Sequence, residues 1–118
     1  MLNQSPSLDL TFKALADPTR RSMLAQLTQG PTTVSALARP LAISLPAVMQ
    51  HLAVLECSGL VRSEKVGRVR TCRIELQALS LAEQWINQRR LEQEQQLERL
   101  GEYLQTLQRE GEADGKGE

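Results

Sequence analysis

Residues 33–56, TVSALARPLAISLPAVMQHLAVLE, hold two short helical patterns separated by a tight connection, and residues 59–76, GLVRSEKVGRVRTCRIEL, follow as a hairpin signal. The first pattern places Val34, Leu37, Ala38 and Leu41 on one side, with Thr32 or Thr33 available as N-cap and Pro40 limiting its end. Ala42-Ile43 forms the connection, and Ser44 is the next N-cap candidate. The second pattern repeats Val48, Leu52 and Leu55 at i, i+4, i+7, and Ser58-Gly59 stops it. Two β-prone runs, residues 60–65 and 69–76, flank Val66-Gly67-Arg68. Helix, tight turn, helix, hairpin is the order of a winged helix-turn-helix. In that arrangement the first helix braces and the second presents one face to the major groove of a duplex, while the hairpin brings basic side chains to a neighbouring groove or the backbone. The expected fold class is mainly α with a small β-hairpin.

Upstream, Leu8, Phe12 and Leu15 suit a short helix in which Leu10 has no assigned side. Asp17-Pro18 reads as an N-cap followed by proline at the first helical position, and Met23, Leu24 and Leu27 make the stripe of a helix that Gly30-Pro31 ends. Downstream, residues 78–109 contain no proline and are dominated by Leu, Glu, Gln and Arg, which favours helix. There Leu97, Leu100, Leu104 and Leu107 recur at the spacing of a helix–helix seam, behind a cluster of Leu81, Trp85 and Ile86. One small domain cannot bury both this helix and its own core, so a second subunit is the economical partner. The domain expected is residues 8–109, with a dimerisation helix over about 78–109, and the Gly-rich stretch from residue 110 to 118 is expected to be a flexible tail.

The chain has 118 residues, room for one ordinary core, and only three aromatics, Phe12, Trp85 and Tyr103, so the core must be aliphatic. No run approaches the roughly 18 apolar residues of a membrane span, and residues 1–7 lack a secretory pattern. Two cysteines do not make a disulfide framework, so a reduced, cytoplasmic protein is expected. Formal net charge is zero but unevenly spread. Residues 1–75 hold nine Lys and Arg against five acids, and residues 76–118 hold five against nine. Five of the front-half bases, Arg62, Lys65, Arg68, Arg70 and Arg73, fall in the hairpin, which points that half at a polyanion. One histidine, two separated cysteines and no Gly-rich phosphate loop give no convergent catalytic set, so an enzyme is not expected.

The run Phe12-Lys13-Ala14-Leu15-Ala16-Asp17-Pro18-Thr19-Arg20-Arg21 resembles the opening of the ArsR-type bacterial repressors. So do Val34-Ser35-Ala36-Leu37-Ala38, Ile43-Ser44-Leu45-Pro46-Ala47-Val48, His51-Leu52-Ala53-Val54-Leu55-Glu56, Gly59-Leu60-Val61-Arg62 and Gly67-Arg68. The likeness spans roughly residues 8–107, and the tail resembles a metal-independent branch of that family. It implies a homodimeric winged helix-turn-helix repressor that binds a double-stranded DNA operator. It also implies that the first and last helices pair across a two-fold axis, through Leu8, Phe12, Trp85, Leu97, Leu100 and Leu104. The two recognition helices would then sit about 34 Å apart, at neighbouring turns of DNA.

With Val48, Leu52 and Leu55 buried and about 100° per residue, Pro46, Gln50, Ala53 and Cys57 point outward, flanked by Leu45, Met49 and His51. Gln50 is the leading base reader, because its amide can pair bidentately with adenine, and Leu45 and Met49 can pack on a thymine methyl. Ser44 bonds a phosphate, caps the helix, or does both, and Thr33 joins the expected DNA-facing set. His51 is either a half-buried side chain satisfied by backbone or, as the resemblance favours, DNA-facing. Many relatives carry Ser-Lys or Ser-Arg where this chain has Met49-Gln50, which removes a cation from that contact. Arg68 sits at the expected hairpin tip, suited to a narrow minor groove, with Arg70 and Cys72 on its face and Arg73 on the other.

The family's usual metal positions lack ligands here, since residues 34–41 hold no cysteine and residues 78–109 no histidine. No metal and no cofactor is expected, and nothing in the sequence names an inducer. Two alternatives stay open: a thiol-based redox or electrophile-responsive regulator using Cys57 or Cys72, and a winged-helix module that binds protein.

Overall fold

The computed structural model describes residues 6–116 and follows the expected order of elements with one addition. Helices α1 (Pro6–Leu15) and α2 (Pro18–Leu27) are joined by Ala16-Asp17. Asp17 is extended (φ −105°, ψ 129°), and its carboxylate accepts the N–H groups of Thr19 and Arg20 at 2.8 and 3.1 Å while Pro18 opens α2. The last carbonyls of α1 have no helical partner. Arg20 donates to those of Ala14 and Lys13 at 2.8 and 3.0 Å, and Arg21 to that of Leu15 at 2.7 Å.

Next come β1 (Thr32–Thr33), α3 (Val34–Ala38) and α4 (Leu45–Cys57). Thr33 caps α3 through Ala36 N–H at 3.1 Å, and Ser44 caps α4 through Ala47 N–H at 3.3 Å. The end of α4 is a Schellman turn. Gly59 N–H donates to Glu56 C=O at 3.0 Å and Leu60 N–H to Leu55 C=O at 3.1 Å, with Gly59 at φ 81°, where a side chain would be strained. Strands β2 (Val61–Val66) and β3 (Val69–Ile74) pair antiparallel from Val61↔Ile74 to Val66↔Val69, and Gly67, at φ 63°, supplies the positive φ of the two-residue turn.

The expected hairpin is the larger part of a three-stranded sheet, ordered β1-β3-β2. The added strand pairs Thr32 with Cys72 and Thr33 with Thr71. The sequence offers these threonines as caps, and Thr33 also as a DNA-facing residue, but not as a strand, because two residues carry no periodicity and the pairing exists only once β3 lies alongside. Thr33 therefore serves twice, ending β1 and capping α3, which ties the helix-turn-helix to the wing.

The core is aliphatic, as expected: Met23, Leu24 and Leu27 from α2, Val34 and Leu37 from α3, Val48, Leu52 and Leu55 from α4, with Leu60, Val61 and Cys72. In α1 the buried residues are Thr11 and Ala14, whereas the sequence pattern was read on Leu8, Phe12 and Leu15. Phe12 is 37% exposed and Leu8 and Leu15 half-buried. Packing on α2 and α4 selects the side of α1 with the smaller residues.

Helix α5 (Leu76–Lys116) starts two residues before the expected position and continues past Arg109. The tail expected from residue 110 is helical as far as Lys116, since Glu110 and Glu112 favour helix and each of the two glycines, Gly111 and Gly115, costs only about 1 kcal/mol. Residues 117 and 118 lie outside the described residues. Two compact units divide between Glu83 and Gln84. The first buries Ala78 and Ala82 of α5, and the second is the remainder of that helix. Among the described residues no helix is long and apolar enough to cross a membrane.

Candidate nucleic-acid interface

Helix α4 has a buried stripe, Val48, Leu52 and Leu55, and an outward side on which Leu45, Pro46, Met49, Gln50, Ala53 and Cys57 are exposed. Its cap leaves Ser44 chemically available. Accepting the Ala47 N–H uses a lone pair of the hydroxyl and keeps its proton for a phosphate oxygen, and the same holds for Thr33 at α3.

One groove runs between this end of α4 and the wing. It is lined by Thr33, Val34, Ser35, Leu45, Met49, Lys65, Arg68, Val69 and Arg70. Of the residues singled out from sequence, the groove brings together Thr33, Leu45, Met49, Arg68 and Arg70. Ser44, Pro46 and Gln50 are exposed outside its lining. Ser35, Lys65 and Val69 were not among the expected site residues. Lys65 was legible only as one of several strand cations, and Ser35 enters because α3 starts beside β3.

The five wing cations are not equivalent. Arg62 and Arg73 each lean on Glu75, at 3.7 and 3.4 Å. Arg70 donates to the Ser63 hydroxyl at 2.9 Å. Lys65 and Arg68 have no ion-pair or hydrogen-bond partner among the described residues, and both are exposed. Arg68 occupies the turn after Gly67, so its charge stands at the wing tip.

His51 is turned toward the α1–α2 junction. Its Nδ1 lies 3.2 Å from Arg20 Nη1 and 4.0 Å from Asp17 Oδ1, and its side chain is 23% exposed. A guanidinium only donates, so Nδ1 is the acceptor in that pair and the ring proton belongs on Nε2. The structure thus gives His51 a partner within the chain, apart from the groove. Hydrogen bonds from the Arg20 and Thr19 backbone N–H groups, with the Arg20 guanidinium nearby, hold the Asp17 carboxyl below its usual range against some desolvation.

Both cysteines are free thiols. Cys57 is exposed at the end of α4, and Cys72 is fully buried in β3. Burial, reinforced by Glu56 and opposed by Arg70, pushes the Cys72 thiol up, away from the thiolate that oxidation requires. Among the described residues no three of His, Cys, Asp and Glu stand close enough to hold a metal ion.

Residues 15–64 match the family model of a helix-turn-helix domain. A solved structure described as an ArsR family transcriptional regulator is 46% identical, with a TM-score of 0.74 over 79% of this chain and 97% of that one. This chain belongs to the ArsR family. Other likenesses agree with the membership. An HTH-type transcriptional regulator of Mycobacterium tuberculosis is 44% identical to this ArsR-family chain over 69 residues, 58% of this chain and 64% of that protein, so this chain spans somewhat less than two thirds of that relative. A homodimeric winged helix-turn-helix DNA-binding domain from Mycobacterium bovis, described as a possible ArsR-family regulator, is 27% identical, with a TM-score of 0.58 over 79% of this chain and 95% of that domain.

Proposed function

We propose that this ArsR-family chain is a dimeric, sequence-specific DNA-binding repressor that works without a metal site. The observation that carries the reading is the pairing of an outward α4 face holding no acid with two unpartnered cations, Lys65 and Arg68, across one groove. A duplex presents base edges to the first and phosphates to the second. Gln50 reads a base, Leu45 and Met49 meet thymine methyls, and Pro46 keeps the helix start close to the groove. Ser44 and Thr33 donate to phosphates, and Arg68 enters a minor groove. His51 and Arg70, expected at the same surface, are held by partners within the chain and act on it indirectly.

Repression and dimerisation rest on the family likeness, the latter also on the homodimeric relative. The metal-free reading rests on the ligand-poor sequence, and added divalent zinc is expected to leave operator affinity unchanged. The deciding experiment is selection of genomic fragments by the purified protein, followed by a promoter fusion carrying the recovered site. A shared two-fold-symmetric motif, with expression rising when the protein is removed, is the expected result. Recovery of no motif removes the DNA reading, and falling expression makes the protein an activator. Repeating the selection with Gln50→Ala is expected to blur one symmetric position, worth about 1–3 kcal/mol, and an unchanged consensus denies Gln50 that role.

A further inference from the structure

Glu56 sits in the last turn of α4, where the helix dipole disfavours a carboxylate. Its neighbour across the gap is Ser63 of β2, whose hydroxyl donates to Glu56 Oε1. The same hydroxyl accepts from Arg70 Nη1 of β3 at 2.9 Å. A serine hydroxyl has one proton and two lone pairs, so both bonds coexist. Ser63 pairs with Cys72 in the sheet register, which makes Arg70 its diagonal neighbour on the same face. All three side chains are half-buried, over the fully buried Cys72. The chain carboxylate–hydroxyl–guanidinium thus joins the far end of α4 to both strands of the wing. Arg70 also lines the groove on its other side, beside Met49 and Arg68.

Resting on the DNA-binding reading above, we infer that Glu56, Ser63 and Arg70 form a brace that sets the wing against the recognition helix, and that Arg70 is a positioning residue, not a phosphate contact. One arm of its guanidinium is held by Ser63, whose hydroxyl links it to the Glu56 carboxylate, whereas Lys65 and Arg68 have no ion-pair or hydrogen-bond partner among the described residues. Every DNA contact of the wing then depends on a hydroxyl that touches no DNA.

The test measures affinity of the full chain for a selected duplex at several salt concentrations, for wild type, Ser63→Ala, Ser63→Thr, Arg70→Gln and the Ser63→Ala/Arg70→Gln pair. Ser63→Ala and Arg70→Gln are each expected to weaken binding about tenfold, the size of one charge-assisted hydrogen bond, with the salt slope unchanged. The double variant is expected to lose no more than the worse single, and Ser63→Thr to recover most of the affinity. A slope lower by about one unit in Arg70→Gln, with Ser63→Ala binding like wild type, overturns the inference and makes Arg70 a phosphate contact. Hydrogen exchange of the β2 and β3 amides, read without DNA, is expected to quicken in Ser63→Ala and not in Ser63→Thr. Equal protection in all three proteins overturns the brace by itself. If no duplex is ever recovered, the DNA reading fails while the exchange data still decide the brace.

Discussion

Ser44 shows how one side chain can carry two duties that substitution separates. The hydroxyl caps α4 through a lone pair, so Ser44→Ala is expected to lower stability by about 1 kcal/mol, and Ser44→Gly by only a few tenths, in urea unfolding. If the hydroxyl also donates to a phosphate, both variants lose the same increment of affinity beyond that difference. Equal stability of the two proteins would deny the cap. Asp17 makes a prediction in pH. Its carboxyl is held below the usual 3.8 by backbone N–H donors, so its contribution to stability is fully present above that value and fades as pH falls through the lower folded value. Asp17→Asn keeps a cap oxygen that does not titrate. The urea midpoint of the wild type is therefore expected to fall more steeply than that of Asp17→Asn below about pH 4. Parallel acid curves would refute the assignment.

Among the elements, helix α4 and the wing differ in what pattern can reveal. The stripe Val48, Leu52, Leu55 repeats with helical period, and each is buried. The wing was legible as two β-prone runs about a glycine, but its cations looked alike in the sequence. Glu75 occupies Arg62 and Arg73, and Ser63 occupies Arg70. Arg73 meets Glu75 two residues on, but the Arg62–Glu75 and Arg70–Ser63 pairs come from register, which a strand does not announce by its own composition. The unpartnered tip residue makes the clearest prediction. Arg68→Ala is expected to weaken operator binding and to lower the slope of log affinity against log salt by about one unit. An unchanged slope would place the wing tip off the phosphates. The two-residue strand β1 and the buried Thr11 face of α1 were not legible, because each depends on a partner element distant in sequence.

For the molecule as a whole, the apolar side chains left exposed along α5 matter most. In residues 84–112, Trp85, Ile86, Leu91, Leu97, Leu100, Tyr103, Leu104 and Leu107 are all exposed in one chain. Gly101 has open space around the position of a Cβ, so close packing there would come from another molecule. Within α5, Arg89 stacks over Trp85 at 5.0 Å and pairs with Glu92 at 2.9 Å, which solvates one side of the helix without covering the leucines. The expected species is a dimer, twice the 13.2 kDa of one chain. Leu100→Glu with Leu104→Glu is expected to shift sedimentation toward the monomer and to weaken operator binding by uncoupling the half-sites. A wild type that sediments as a monomer at micromolar concentration would remove the two-fold arrangement.

The order of the helices and the hairpin, the caps at Asp17, Thr33 and Ser44 and the aliphatic stripes of α2, α3 and α4 were written in the chain, because each rests on a pattern that repeats within about one helical turn. Which cations remain unpartnered, where His51 turns, how deep Cys72 lies and that Thr32 and Thr33 form a strand emerged from folding. Each of these needs a group far along the chain to arrive at hydrogen-bonding or packing distance, and no local pattern of residues encodes that meeting.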